Sequence, residues 1–270
     1  MKVQIPAEER LIVALDVETK EEALRLVQDL SGIVSFFKIG IPLFMSGGLL
    51  DLLGTLRAQQ VFVDLKMPDD IEETIRRIIS LSASLNIKFL TLSTNVHAST
   101  IRSARDARGS DDYPKLLSIP LLSSLDGEDL PATHGRSSDQ LDSLIGQKAK
   151  ELLDAGCDGL IASGAAISQI HKNHPDTLIV SPGIRPTGSS SDDHKRFATP
   201  YDAINMGADY LVVGRPILKA PDRESRRSIA QAIIGEIKAA LGARSRQPDT
   251  SLHAPRNQSS AGYAPPSSPL

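Results

Sequence analysis

The sequence predicts a single (β/α)8 TIM barrel, because short β-type runs alternate along it with longer segments whose apolar residues recur at helical spacing. Strand–helix units of this kind fill about 240 residues, and their number and size are those of this barrel. A doubly wound open sheet uses the same alternation and is the alternative fold. The count of eight strand candidates favours the closed barrel.

The elements can be placed one by one along the chain. The apolar runs predict strands at 11–17, 35–40, 61–66, 89–96, 115–122, 159–163, 177–184 and 210–217. Helical spacing predicts helices that include 21–30, 71–85, 141–153 and 228–241. Thr19 with Glu22 forms a capping box, and Thr199 places a capping hydroxyl before Pro200 at a first helical position.

The barrel is predicted to occupy residues 1–243, and residues 244–270 are predicted to be a disordered Ser/Pro-rich tail. The tail has too few apolar side chains to offset the entropy lost on ordering. Another polar segment, 126–140, is predicted to be a βα loop on the face where barrel enzymes place their sites.

The composition is that of an ordinary soluble globular protein. The chain has 270 residues, a net charge of -3 and a pI near 6.1, so no global charge favours nucleic acid or an acidic membrane. Cys157 is the only cysteine, which excludes a disulfide within the chain and indicates a reducing compartment. No apolar run reaches the ~20 residues that span a bilayer. These observations predict a cytoplasmic protein with neither nucleic acid nor a membrane as partner.

The most informative motif is Asp64-Leu65-Lys66-Met67-Pro68-Asp69-Asp70, which directly follows an apolar run. Side chains two residues apart in a strand share a face, so Asp64 and Lys66 are expected to point the same way at the strand's end. Holding a cation among carboxylates costs desolvation, which suits a site that uses these charges. A solvated Asp/Lys turn is the alternative interpretation of an isolated D-x-K.

Polar residues follow the other predicted strands as well. The carboxyl ends of barrel strands meet at one face, so residues distant in sequence are expected to converge there. Alternating carboxylates and amines couple one another's protonation, as acid–base chemistry requires. The residues at these ends are Asp16, Lys38, Asp64 with Lys66, His97, Ser123 with Ser124, Arg185 and Arg215.

The segments after the seventh and eighth strands predict a phosphate site. Gly183 and Gly188 permit close backbone approach, and Gly214 leaves Arg215 able to fork onto phosphate oxygens. Barrel enzymes often bind phosphate with these two loops. Residues 187–195 have no apolar anchor and are predicted to form a mobile lid over the phosphate.

In this order and spacing, the motifs resemble the orotidine 5'-phosphate decarboxylase family. The resemblance covers residues 11 to about 222, and the wider group of sugar-phosphate barrels shares D-x-K-x-x-D but not P-G-I-R-P. The matching motifs are V-A-L-D (13–16), K-I-G (38–40), D-L-K-x-x-D (64–69), L-L-S-S-L-D (121–126), P-G-I-R-P-x-G (182–188) and G-A-D-Y-L-V-V-G-R-P-I (207–217).

The resemblance implies decarboxylation of orotidine 5'-phosphate to UMP without metal or cofactor, as the last step of UMP synthesis, by a homodimer with shared sites. It implies that Lys66 protonates C6 of the pyrimidine, and that Asp64 lies by the departing carboxylate and holds Lys66 charged. The substrate-binding residues that it implies are Asp16 and Lys38 at the ribose, Ser124 at the pyrimidine, Arg215 at the phosphate, Thr74 from the partner subunit, and Arg185, His194 and Gly214.

Two departures from the family's pattern bear on these roles. The family reads K-x-x-D-I-x-x-T, and its aspartate reaches the partner subunit's site, whereas this chain has one extra residue between Lys66 and Thr74. Counting from Lys66 selects Asp69 as that catalytic carboxylate, and counting back from Thr74 selects Asp70, which is slightly preferred. His194 stands where the family has a phosphate-binding glutamine. An imidazole can also donate to phosphate, and a solvated loop histidine is the alternative.

Other functions remain as alternatives. The nearest enzymes are 3-keto-L-gulonate phosphate decarboxylase and hexulose phosphate synthase, which resemble metal-dependent enzymes and lack the P-G-I-R-P-x-G signature. A non-catalytic nucleotide-binding barrel, disabled by the extra residue after Lys66, is the alternative from another class. No His/Cys/Asp cluster has metal-ligand spacing in the sequence.

Overall fold

The computed structural model contains a closed barrel of parallel strands and describes residues 4–68, 70, 72–83, 85, 87–121, 138–186 and 198–244. The strands pair in sequence order, and the eighth pairs with the first to close the ring. This closure confirms the barrel prediction and excludes the open sheet. The strands are β1 (Leu11–Ala14), β2 (Phe36–Gly40), β3 (Gln60–Met67), β4 (Ile87–Leu92), β5 (Lys115–Ser118), β6 (Gly159–Ile161), β7 (Leu178–Ser181) and β8 (Tyr210–Val213).

Helices connect the strands and pack around the ring. Both predicted caps are present, since Thr19 Oγ1 accepts a hydrogen bond from the amide of Glu22 at 3.2 Å and Thr199 Oγ1 accepts one from the amide of Asp202 at 3.1 Å. The α-helices of the described residues are α1 (Lys20–Asp29), α2 (Ile41–Met45), α3 (Leu49–Thr55), α4 (Glu72–Ala83), α5 (Ala98–Arg108), α6 (Ser138–Ala155), α7 (Ala165–Asn173), α8 (Pro200–Met206), α9 (Arg215–Leu218) and α10 (Arg223–Arg244).

Six strands, β1 and β4 to β8, end two to four residues earlier than the sequence indicated. β4 ends at Leu92 and β8 ends at Val213. The residues after β8 form the short helix α9, because Gly214 provides its N-cap and Pro216, which has no amide hydrogen, fits the first turn of a helix. Arg215 therefore opens a helix and does not extend a strand.

Alternation along the strands divides the barrel interior into an apolar lower part and a polar mouth. Inward-facing positions recur every second residue, so Phe36 is followed on the same face of β2 by Lys38. The ring of Phe89 lies with its centroid 5.1 Å from that of Phe36 and 5.1 Å from that of Tyr210. These aromatic side chains fill the barrel beneath the polar residues and form the floor of its mouth.

Two aspartates hold the opposite end of the barrel. Asp158, just before β6, accepts a hydrogen bond from the amide of Leu116 on β5 at 2.7 Å and is paired with Arg108. Asp209, just before β8, accepts one from the amide of Ile179 on β7 at 2.8 Å. Each carboxylate therefore joins two neighbouring strands at their amino ends.

A second apolar layer lies between the strands and the helices, where Val13, Phe37 and Ile39 are fully buried. Cys157 belongs to this layer, and burial raises the pKa of its thiol to about 12, so the group is an inert core thiol at neutral pH. No helix within the described ranges has the length and apolar character needed to cross a membrane. The predicted tail lies outside the described residues from position 245 onward.

Candidate active site

A pocket of about 270 Å³ opens at the carboxyl ends of the strands. Its floor is apolar and includes Phe62, Ile161 and Val180. This is the face at which barrel enzymes place their active sites. The pocket brings together eight of the residues singled out from the sequence, which are Asp16, Lys38, Asp64, Lys66, Gly183, Arg185, Gly214 and Arg215.

Four of these side chains form a row of alternating charge. Lys38 Nζ lies 3.0 Å from Asp16 Oδ1 and 3.4 Å from Asp64 Oδ2, and Lys66 Nζ lies 3.0 Å from Asp64 Oδ1. The inner pair is nearly buried, with side-chain exposures of 10% for Lys38 and 12% for Asp64. The outer pair is more open, at 48% for Asp16 and 39% for Lys66. The row forms because β1, β2 and β3 are neighbours in the ring.

Asp64 is an anion in spite of its burial. Burial alone would raise the pKa of its carboxyl group, but the ammonium groups of Lys38 and Lys66 lower it, as does a hydrogen bond from Thr91 Oγ1 at 2.8 Å. The net result is a pKa below the ordinary value for an aspartate. A fixed negative charge therefore lies at the bottom of the polar mouth.

Lys66 reaches this carboxylate from an unusual backbone conformation. Its φ is 49°, and it is the one non-glycine residue with a positive φ in the described part of the chain. The pairing of β3 with β4 changes register between Val63 and Met67, on either side of Asp64 and Lys66. Bulges of this kind re-aim side chains. The irregularity therefore accompanies the turn of the Lys66 ammonium toward the pocket.

Gly40 leaves the room that the charged row needs. A Cβ atom at this position would lie 3.0 Å from Asp16 Oδ1 and 3.3 Å from Lys38 Nζ. Any larger residue would push against both members of that ion pair.

Two arginines line the pocket from the seventh and eighth units. The backbone amide of Arg185 donates to the carbonyl of Ala198 at 3.0 Å, and its Nη1 donates to the carbonyl of Ile184 at 3.0 Å, which fixes this buried side chain. Arg215 is the first residue of α9. Both guanidinium groups are cations beside the same cavity.

Several predicted site residues are placed elsewhere or are not described. Asp70 is exposed just before α4 and Thr74 is half-buried in its first turn, and neither lines the pocket of its own chain. His97 occupies the N-cap position of α5 and lines a separate groove beside α6. The predicted residues that lie outside the described part of the chain are Asp69, Ser124, His194 and the lid segment 187–195.

Sequence reasoning missed two polar residues of the mouth. Thr91 on β4 donates to Asp64, and Ser163, buried just beyond β6, lines the pocket. Thr91 could have been found from alternation alone, because it follows the inward-facing Phe89 by two residues. The usable signal was a hydroxyl at an inward position of the strand next to β3.

A closed eight-stranded barrel with a charged pocket at the carboxyl ends of its strands defines the chain as a (β/α)8-barrel enzyme. Within the described ranges, no three His, Cys, Asp or Glu side chains are grouped so that they could hold a metal ion.

The chain belongs to the orotidine 5'-phosphate decarboxylase / HUMPS family, whose sequence model matches residues 9–228. It is 41% identical over 241 residues to the orotidine 5'-phosphate decarboxylase of Nitrobacter winogradskyi, with 87% of this chain and 95% of that protein covered. It is 39% identical over 237 residues to the enzyme of the same name from Jannaschia sp., with 86% and 99% covered.

Solved structures show the same similarity. The crystal structure of orotidine 5'-phosphate decarboxylase from Lactobacillus acidophilus matches with a TM-score of 0.70 and 31% identity, covering 85% of this chain and 99% of that one. An uncharacterized conserved protein from Geobacillus kaustophilus matches with a TM-score of 0.66 at 23% identity, covering 83% and 99%, and shares the fold.

Proposed function

We infer that the chain is a carboxy-lyase that converts orotidine 5'-phosphate to UMP and CO2 in pyrimidine biosynthesis. Membership of the family and the names of relatives at 41% and 39% identity support this function. The observation that carries the proposal is the Lys66 ammonium 3.0 Å from the Asp64 carboxylate in the pocket. This pair places a proton donor and a fixed anion at one side of a cavity that has two arginines among its other lining residues.

In the proposed reaction, the bond between C6 of the pyrimidine and its carboxylate breaks, CO2 leaves, and the electron pair stays on C6. Lys66 Nζ transfers a proton to C6, and its positive charge stabilises the carbanion as that charge develops. Asp64 lies against the substrate carboxylate, and the repulsion between the two anions is relieved when neutral CO2 departs. Lys38 Nζ lies 3.4 Å from Asp64 Oδ2 and holds the Asp64 carboxylate in place.

We assign the phosphate to the side of the pocket that carries the arginines. The guanidinium of Arg215 offers forked donors that match phosphate oxygens, and Arg185 and Gly214 line the same cavity. His194, in the lid segment, is proposed as a further phosphate donor. Binding energy gained at the phosphate can organise a reacting centre that lies away from it.

The ribose and the pyrimidine are assigned to the remaining polar groups. Asp16 and Lys38, 3.0 Å apart near the mouth, offer an acceptor and a donor to the ribose hydroxyls. Ser124, which follows β5 in the sequence, is proposed to bind the edge of the pyrimidine.

We further propose a homodimer in which each protomer completes its partner's pocket. Asp70 and Thr74 do not line the pocket of their own chain, although both belong to the motif that contacts substrate in the family. Apolar side chains of α2 and of the start of α3 are 47–73% exposed, which is unusual for a surface that stays open to water. A second copy is proposed to cover this apolar patch, which comprises Ile41, Phe44, Met45 and Leu50.

Mixing two inactive variants tests the shared site. Random exchange between Lys66→Ala and Asp70→Ala protomers gives about a quarter of pockets with both residues intact. Activity should rise toward that fraction of wild type. No recovery, with exchange verified by native mass spectrometry, would contradict a shared site containing Asp70. Recovery only when Asp69→Ala replaces Asp70→Ala would assign the partner carboxylate to Asp69.

Incubation with orotidine 5'-phosphate, followed by pyrimidine absorbance, tests the reaction itself. Loss of the substrate spectrum and appearance of UMP without added metal are expected. Turnover only of a sugar phosphate with added divalent metal would point to the related barrel enzymes. UMP binding without any turnover would point to a non-catalytic nucleotide-binding barrel.

Two proposals concern the chain as a whole. Residues 1–243 are proposed to form the catalytic domain, with 244–270 as a tail that catalysis does not need. We propose the cytoplasm as its location, because the single buried Cys157 gains nothing from an oxidising compartment. Truncation after Arg244, the last residue of α10, removes the rest of this tail and should leave kcat and KM unchanged.

A further inference from the structure

Thr91 is an uncharged side chain that contacts Asp64, the carboxylate between Lys38 and Lys66 in the charged row. It is completely buried on β4, next to β3 in the ring. Its Oγ1 lies 2.8 Å from Asp64 Oδ1 and 3.3 Å from the backbone carbonyl oxygen of Val63. A hydroxyl has one proton to donate, and the shorter distance selects the carboxylate as its acceptor.

The two oxygens of Asp64 have different partners, so the orientation of the carboxylate matters. Oδ1 accepts a hydrogen bond from Thr91 Oγ1 at 2.8 Å and lies 3.0 Å from Lys66 Nζ, and Oδ2 lies 3.4 Å from Lys38 Nζ. The lysines are long and have many rotamers, whereas a β-branched threonine on a strand is stiff at χ1. Thr91 is therefore the rigid member of this set of donors.

We propose that Thr91 is a positioning residue for decarboxylation: it fixes the plane of the Asp64 carboxylate so that Oδ1 faces Lys66 and Oδ2 faces Lys38. This role deepens the proposed function and rests on it. Without the hydroxyl, the carboxylate can rotate and Lys66 loses its fixed partner at the reacting carbon. The nucleotide keeps its contacts with Lys38 and Arg215, so the effect falls on kcat and not on KM.

The role also predicts a change in pH dependence. The charged groups that line the pocket around Asp64 come from β2, β3 and the segments after β1, β7 and β8, and they are Asp16, Lys38, Lys66, Arg185 and Arg215. Thr91→Val leaves all of these in place and removes one donor to the ionised Asp64. The pKa of Asp64 should then rise, and the acid limb of the kcat profile should move to higher pH.

Thr91→Val and Thr91→Ser test the proposal, with Ser118→Ala as a matched control. Ser118 is also buried, on the adjacent β5, and its hydroxyl donates to the backbone carbonyl of Ser93 at 2.9 Å without lining the pocket. Thr91→Val should lower kcat about tenfold, leave KM within about threefold, and raise the acid limb by about one pH unit. Thr91→Ser should keep kcat and the pH of the acid limb at their wild-type values, and Ser118→Ala should change neither of them.

An unchanged kcat and acid limb in Thr91→Val would overturn the positioning role. A loss of thermal stability with no change in these two readouts would also overturn it, because a structural hydroxyl would act in that way. Carboxylate ¹³C NMR, with the Asp64 signal identified by Asp64→Asn, follows the same pKa without substrate. A wild type that fails to decarboxylate orotidine 5'-phosphate would refute the proposed function, and an Asp64 titration that Thr91→Val leaves unmoved would refute the role of Thr91.

Discussion

Glycine at position 66 can separate the backbone strain of this residue from the chemistry of its side chain. Lys66 has a φ of 49°, in the left-handed region, which costs a residue with a Cβ atom about 1–2 kcal/mol. Both Lys66→Ala and Lys66→Gly remove the ammonium group, but only glycine removes the strain. The two variants should therefore be equally inactive and differ in stability.

The magnitudes follow from the contacts of Lys66. Relative to alanine, glycine at position 66 avoids about 1–2 kcal/mol of strain in the folded state. It loses about 0.4–1 kcal/mol of stability because its unfolded chain has more conformational entropy. Lys66→Gly should therefore be about 1 kcal/mol more stable than Lys66→Ala, or roughly 2–4 °C higher in Tm. The lost ion pair costs little, because Lys66 is 39% exposed and Asp64 keeps Lys38 at 3.4 Å. Loss of the proton donor should lower kcat at least ~10³-fold, or roughly 4 kcal/mol.

Thermal melts and kcat on orotidine 5'-phosphate measure both effects, and circular dichroism verifies the fold. Lys20→Ala is the control, since Lys20 pairs with Asp51 at 3.2 Å away from the pocket and should keep full activity. Equal stability of the two position-66 variants would show that the backbone there is unstrained. More than about a tenth of wild-type kcat in either variant would refute Lys66 as proton donor.

Three further predictions concern the phosphate side, the buried carboxylate and the packing of the barrel. Arg215→Ala should lower kcat/KM by roughly 10²–10⁴-fold, because charge-assisted bonds to phosphate are lost, and unchanged kcat/KM would remove it from the phosphate site. Folding lowers the pKa of Asp64, so the ionised group stabilises the fold above pH about 4 and that contribution is lost as the pH falls further. In urea titrations, the stability of wild type relative to Asp64→Asn should therefore decline from pH 7 to pH 3, and a constant difference would contradict this. Gly207 has a φ of 114° and a Cβ there would overlap the His171 side chain, so Gly207→Ala should cost about 2 kcal/mol or more. Gly235→Ala, with open space around it in α10, should gain about 0.5–1 kcal/mol, and thermal melts that rank the two alike would refute this packing.

The fold and the position of the pocket could be predicted because local signals determine them. Apolar runs and helical spacing located the strands and helices, and the ring geometry placed the strand ends on one face. Asp64 and Lys66 do face the same pocket. Their meeting does not come from simple strand alternation, however, because Lys66 reaches Asp64 through a left-handed backbone and a shift in strand register. No propensity or spacing rule encodes such a local irregularity.

The rest of the site depends on contacts between distant segments. The hydrogen bond from Thr91 to Asp64 spans 27 residues and exists only once β3 and β4 are paired. Asp70 is exposed and does not line the pocket of its own chain, so the role that the family resemblance implies for it depends on the proposed second protomer. At β8, the apolar run through Ile217 indicated a longer strand, but Gly214 ends it and starts a helix. The roles of the individual site residues stay predictions.

The two aspartates at the amino ends of the strands have a consequence for how this barrel can change. Asp158 and Asp209 tie strand pairs together at the end opposite the pocket, on the far side of the aromatic layer. The contacts that tie these strand ends together thus lie apart from the pocket along the barrel axis. The mouth can accumulate substitutions that alter ligand preference while the far end keeps the chain folded. A mutational scan selected for folding alone should tolerate change at Arg215 and reject it at Asp209, so new specificities can arise here without loss of the scaffold.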